Sequence, residues 1–253
     1  MSEQIDLRLG DCLEVMQTIA DKSVDLILCD LPYGTTACKW DSVIPFEPLW
    51  AQYRRIAKPN AATVLTASQP FTSALVMSNP DWFKVEWVWR KNAGSNFGTV
   101  KFQPMKEHES VLVFGNGRIT YNPIMQERAE SGKSRVKTPV KYATKTDVYS
   151  GGLHNELVSN RPDLRYPSSV QNFNRERGYH PTQKPVALME YLIRTYTNEG
   201  DTVLDNCMGS GTCGVAAART GRKFIGIERD PGYFAIATNR IAEAQSRDLL
   251  SAA

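Results

Sequence analysis

Short apolar runs alternate with amphipathic stretches over most of this chain. Ile5–Leu9, Val24–Cys29, Ala61–Thr66, Lys84–Trp89, Ser110–Phe114, Thr202–Leu204 and Lys223–Ile227 are too short and too rich in branched or aromatic residues for helices, and read as strands. Between them, Cys12–Ile19, Phe46–Ala57, Phe71–Ser78, Val186–Tyr196, Cys213–Thr220 and Tyr233–Ala244 read as helices. Alternation of this kind predicts the α/β class, a mainly parallel central sheet with right-handed crossovers. Neither half has enough strands to bury helices on both sheet faces. Residues 1–114 and 181–253 are therefore expected to be two halves of one domain, and residues 115–180, where the strand signal fails, an insert.

Two of the strands run into segments that carry chemistry. Val24–Cys29 hands over directly to Asp30-Leu31-Pro32-Tyr33. Pro32 fixes its own φ and keeps Leu31 extended, so a carboxylate, a backbone carbonyl and an aromatic ring gather at a strand's carboxyl end. Two acceptors beside a flat stacking surface suit a planar ring that carries an exocyclic amine. The second segment, Asp205-Asn206-Cys207-Met208-Gly209-Ser210-Gly211-Thr212, is a glycine turn leading into a helix. Small residues there admit a ligand close to the backbone, although a strand-helix-strand unit also uses such glycines for packing. Glu228 ends the next strand, 19 positions after Gly209. An acidic residue about 20 positions past a glycine turn is placed to grip a ribose diol.

Charge separates the insert from the rest. Residues 115–180 hold 11 Lys and Arg against 6 Asp and Glu, whereas the whole chain is only +3. Lys133, Arg135, Lys137, Lys141 and Lys145 recur there among Ser, Thr and Tyr, a composition suited to phosphate contacts. With 253 residues, 42% of them hydrophobic, the chain can build one large core. Cysteines at 12, 29, 38, 207 and 213 show no Cys-x-x-Cys spacing, which fits a reduced, cytoplasmic protein. No apolar run approaches the length of a membrane span, and no export signal is evident. Three scattered histidines supply no metal set; His108-Glu109 reads as structural or DNA-proximal, and Trp87 and Trp89 as core.

In that order, the motifs make the chain resemble the amino-methylating DNA methyltransferases in their β arrangement, where the catalytic motif precedes the cofactor motif. Asp30-Leu31-Pro32-Tyr33 matches the family's Asp-Pro-Pro-Tyr, Asp205 to Gly211 its Asp-x-x-x-Gly-x-Gly, and His180 to Pro185 its His-Pro-Thr-Gln-Lys-Pro. Leu31 departs from the first proline, where only the backbone carbonyl is needed, and Cys207 replaces the usual phenylalanine.

The resemblance implies a Rossmann-like methyltransferase with permuted motif order and a target-recognition insert. S-adenosyl-L-methionine is the implied cofactor. Glu228 would meet its ribose, and Asp205, Cys207, Gly209, Ser210, Gly211 and Thr212 its methionine end, with Lys184 at the carboxylate. Asp11, followed by Cys12, would face its adenine, a role that coexists with capping the helix at Cys12. Asp30, Leu31, Pro32 and Tyr33 would hold a flipped-out base in double-stranded DNA, with adenine N6 favoured by the acidic first residue. Cytosine N4, an RNA or protein amine, and a DNA-binding module without catalysis stay open, as does a homodimer. The family setting is restriction-modification.

Overall fold

The computed structural model of the protein describes residues 4–35, 41–133, 163–176 and 178–251. Among these the strands are β1 (Ile5–Leu9), β2 (Val24–Cys29), β3 (Ala57–Ala67), β4 (Phe83–Arg90), β5 (His108–Phe114), β6 (Gln126–Glu127), β7 (Leu164–Arg165), β8 (Val170–Asn172), β9 (Thr202–Asp205) and β10 (Lys223–Glu228). The helices are α1 (Cys12–Met16), α2 (Phe46–Ile56), α3 (Phe71–Ser78), α4 (Glu130–Lys133), α5 (Val186–Tyr196), α6 (Thr212–Arg219) and α7 (Pro231–Ser251).

Eight strands form one sheet in the order β1-β10-β9-β2-β3-β5-β4-β8. All neighbouring pairs are parallel except those made by β5, which runs against both β3 and β4. The fold is thus α/β with a mainly parallel, mixed sheet. Reversal of β5 follows from its connection, because residues 91–107 supply only a short 3-10 turn and no crossover helix.

Central β2 shows why the sheet is covered on both faces. Leu26 and Leu28 point into one core with α5, α6 and α7, while Ile27 and Cys29 point into the other with α1, α2 and α3. Helix α5 buries Leu188, Met189, Leu192, Ile193 and Tyr196, a stripe at helical spacing. The expected tryptophan strand is β4. Its Trp87 and Trp89 are buried, and their indole N–H groups donate to Tyr196 Oη at 2.7 Å and to the Phe173 carbonyl at 2.9 Å.

Three boundaries differ from the sequence reading by three residues or more. Helix α1 stops at Met16 rather than Ile19, because the Arg55 guanidinium takes the carbonyls of Met16 and Ile19, each at 2.7 Å. Strand β3 starts at Ala57, straight out of α2, with Lys58 paired to Asp25 at 2.7 Å. Helix α7 runs to Ser251, beyond Ala244.

The chain divides into two compact units, one of residues 1–122 with 169–253 and one of residues 123–168. Part of the segment read as an insert therefore lies in the larger unit, where β8 extends the sheet. Within the smaller unit, β6 and β7 pair antiparallel, and the Arg128 N–H donates to the Asp163 carbonyl at 2.7 Å. Lys133 ends α4; Arg135, Lys137, Lys141 and Lys145 lie outside the described residues. No helix among the described residues is long and apolar enough to cross a membrane.

Candidate active site

Four contiguous parallel strands, β1-β10-β9-β2, each deliver a carboxylate at or just past their carboxyl ends: Asp11, Glu228, Asp205 and Asp30. Parallel alignment brings those ends together, and open α/β sheets bind ligands there. All four residues line one cavity of roughly 270 Å³. Of the expected cofactor residues, Cys12, Lys184, Cys207, Gly209, Ser210 and Thr212 line it too, as do Leu31, Pro32 and Tyr33.

Gly211 is the exception. It sits at φ +80°, and a Cβ there would lie 2.9 Å from both Cα and Cβ of Ala237 in α7. Its place is the close packing of α6 on α7. Gly209, at φ +51°, meets nothing nearer than the His180 ring at 3.9 Å, which leaves its backbone open to the cavity.

Glu228 is fixed through both oxygens. Gly209 N–H donates to Oε2 and Asp230 N–H to Oε1, each at 2.8 Å. Each oxygen keeps acceptor capacity for a hydroxyl. Asp11 caps α1 through Oδ1, accepting from Leu13 N–H at 2.9 Å and Glu14 N–H at 3.4 Å. The glycine turn is braced from α7, where the Arg240 guanidinium donates to Ser210 Oγ at 3.0 Å.

Asp205 accepts from Cys207 N–H at 3.0 Å. Burial pushes its carboxyl up to about 7, against the pull of the Cys207 N–H and the Cys29 thiol. Cys12 and Cys29 are held above the ordinary thiol range, Cys12 chiefly by its contact with Cys207 and Cys29 by burial. They pack as neutral thiols. Cys12, Cys29, Cys207 and Cys213 carry no disulfide. Asn206, which also lines the cavity, accepts from Tyr53 Oη at 2.6 Å through Oδ1.

Around Asp30 the structure assembles partners that local sequence does not show. Tyr33 Oη donates to Oδ1 at 2.8 Å and lies 3.1 Å from Thr66 Oγ1, whose hydroxyl also reaches Oδ1. Lys184 Nζ donates to Oδ2 at 2.6 Å. Lys184, expected at the cofactor carboxylate, is thus engaged with Asp30, and its Nζ also lies 3.5 Å from Glu109 Oε2. Burial alone would push Lys184 down, but Asp30 and Glu109 outweigh it and hold it above the usual lysine range. Phe71 stacks on Tyr33 with ring centres 5.1 Å apart. Thr66 was findable from topology: β2 and β3 pair Cys29 with Leu65, so the next residues, Asp30 and Thr66, fall side by side.

The cavity suits a cationic, ribose-bearing ligand. Acidic groups dominate its floor, a fixed carboxylate offers diol acceptors, and Gly209 leaves room where a side chain would intrude. The DNA methylase family, whose members modify N6 or N4 amines, matches residues 24–239. The chain belongs to that family: it is a DNA methyltransferase, and its methyl donor is S-adenosylmethionine. Among relatives, it is similar to the type II methyltransferase M.HpaI of Haemophilus parainfluenzae, 27% identical across 94% of this chain and 74% of the relative. The crystal structure of the M1.HpyAVI–SAM complex superposes with a TM-score of 0.62 at 26% identity, covering 93% of this chain and 99% of that one. The cytosine-N4-specific PvuII DNA methyltransferase shares the fold, with a TM-score of 0.66 at 17% identity over 98% of this chain and 93% of that one.

Proposed function

We propose that the protein methylates adenine at N6 in double-stranded DNA, at a specific site and on a nucleotide flipped out of the helix. The carrying observation is Asp30, held at the end of β2 on the rim of the cofactor cavity by Tyr33, Thr66 and Lys184. When bound, S-adenosylmethionine supplies an electrophilic methyl group on a sulfonium. An exocyclic amine is a poor nucleophile because its lone pair is spread into the ring. Asp30 and the Leu31 carbonyl accept the two amine hydrogens, which turns that lone pair toward the methyl. Pro32 keeps Leu31 extended, and the buried Leu31 side chain anchors the turn. Tyr33, backed by Phe71, offers a ring to the base. Positioning of this kind supplies much of the rate. One amine proton leaves as the methyl arrives, and Asp30 is the nearest base to take it.

In this reading Glu228 accepts from the ribose hydroxyls, Asp11 and Cys12 border the adenine end, and Asp205, Cys207, Gly209, Ser210 and Thr212 surround the methionine end. The order of motifs, catalytic before cofactor, is the permuted one. The segment between them, with Lys133, Arg135, Lys137, Lys141 and Lys145, serves target recognition by contacting phosphates. A cytoplasmic place in a restriction-modification pair completes the proposal.

Adenine is favoured over cytosine by the acidic first residue of the tetrapeptide. The test is digestion of methylated DNA to nucleosides followed by mass spectrometry. N6-methyl-2′-deoxyadenosine is expected; N4-methyl-2′-deoxycytidine as the product overturns the choice of base.

A further inference from the structure

A buried chain of alternating charges leads away from Asp30. Lys184 Nζ donates to Asp30 Oδ2 at 2.6 Å and lies 3.5 Å from Glu109 Oε2. The other oxygen of Glu109 accepts from Lys91 Nζ. The side chains of Lys91, Lys184 and Glu109 are only 5%, 6% and 15% exposed, so water does little to screen them. Three elements meet here: β5 carries Glu109, Lys91 follows β4, and Lys184 precedes α5. Glu109 Oε2 is buried and at 3.5 Å lies at the edge of hydrogen-bond reach of Lys184 Nζ, so it acts on Lys184 mainly through charge.

The arrangement matters because of how Asp30 is used. Its Oδ1 already faces the hydroxyls of Tyr33 and Thr66. A target amine must therefore use Oδ2, the oxygen that Lys184 also holds. Lys184 and the amine then share it, so the ammonium draws on the negative charge that Oδ2 can offer the amine, which gains positive charge as the methyl arrives. Whatever draws Lys184 the other way releases Asp30 for the substrate. Lys184 has one further carboxylate within reach among the described ion pairs, and that is Glu109.

We propose that Glu109 is a positioning residue for methyl transfer: it balances the charge of Lys184 so that Asp30 remains available to the target amine. This rests on the reading of Asp30 as the amine acceptor. With Glu109 present, Asp30, Lys184, Glu109 and Lys91 sum to zero charge. Without it, two buried ammonium groups flank a site that must take in a sulfonium and an amine turning positive. Lys91 already sits below the usual lysine range, burial outweighing its attraction to Glu109, and Glu109 is held below the carboxylate range by Lys184 and Lys91 against its own burial.

The test is single-turnover methylation of DNA by purified variants, with cofactor affinity measured alongside. Glu109→Gln should slow transfer at least tenfold while S-adenosylmethionine binds within about threefold of the parent. Adding Lys91→Met to that variant removes the excess charge and should restore the rate to within about threefold of the parent. A purely structural Glu109 predicts the reverse, since the double variant loses two buried groups. Full activity in Glu109→Gln overturns the proposal, as does a double variant no faster than the single one. Should Glu109→Gln fail to fold, Lys91→Met alone decides: Glu109 is then left wholly to Lys184, so transfer should be at least as fast as in the parent, and a fivefold loss overturns the proposal. Asp30→Ala runs in parallel. If it still transfers methyl, the reading of Asp30 fails and Glu109 falls with it; if it is inactive while Glu109→Gln is not, only Glu109 falls.

Discussion

If Asp205 meets the cofactor as proposed, cofactor binding should depend on pH. The Asp205 carboxyl is pushed up to about 7 by burial, from an ordinary 3.8. If it pairs with the cationic methionine end of the cofactor, only the ionised form is competent to bind. Apparent affinity then scales with the ionised fraction, about one in eleven at pH 6 and one in two at pH 7, so binding should tighten about fivefold over that interval. His180 faces the same cavity, but burial keeps it below the usual imidazole range, so its change falls lower. Isothermal calorimetry at pH 6 and 7 reads the affinity, and repeating it in buffers of different ionisation heat reads the protons released. Asp205→Asn should bind more weakly and lose the pH dependence. Equal affinity at the two pH values in the parent refutes the reasoning. The free protein should show the opposite trend. A folded-state pKa above the unfolded one gives stability that is full below about pH 4 and lost as pH rises towards 7, on the order of 4 kcal/mol for this group. Asp205→Asn should remove that slope from urea-unfolding curves.

Glu228→Ala should weaken S-adenosylmethionine by about 1–3 kcal/mol in calorimetry, the cost of unpaired ribose hydroxyls, and should also lower the melting temperature because Gly209 and Asp230 lose their acceptor. Gly211→Ala adds a left-handed penalty of about 1–2 kcal/mol to overpacking against Ala237 of about 1–3, whereas Gly209→Ala meets only the first; urea denaturation should rank them in that order. In the insert, neutralising Lys137 and Lys141 should flatten the slope of log K against log salt by about 0.9 per lost phosphate contact, read by fluorescence anisotropy on duplex DNA.

What sequence reveals here is whatever is written locally. The strand ends at Cys29, Asp205 and Glu228 stand out because an apolar run stops at a polar or glycine-rich turn, and the cavity gathers those ends. Gly211 is ambiguous in the sequence because the same residue type serves ligand access and helix packing; the packing shows only in the 2.9 Å approach of Ala237. Thr66 looks ordinary in the chain, and neither Glu109, read with His108 as structural or DNA-proximal, nor Lys91 announces its ion-pair partner. They gain meaning through the neighbour order β2-β3-β5-β4, which depends on which strands pair and not on any single segment. Lys184 stands out by its motif, but its partner lies 154 residues away. Reversal of β5 is hidden for a related reason: an apolar strand reads the same in either direction.

The order of strands also sets when the cavity can exist. Strands β2, β3, β5 and β4 lie in the first 114 residues and are adjacent in the sheet, so that half can assemble as it leaves the ribosome. Its inner edge is β2, whose Leu26 and Ile27 wait for Val203 and Leu204 of β9. The first strand made waits longest, since β1 pairs only with β10 and Ile5 finds its partner in Phe224. Pairings of such long sequence separation are slow to form, and until then an apolar strand edge stands open to other chains. Two of the four carboxylates, Asp205 and Glu228, arrive with those late strands. If they hold the methyl donor as proposed, it recognises only the finished sheet, and its binding draws the equilibrium toward the folded state.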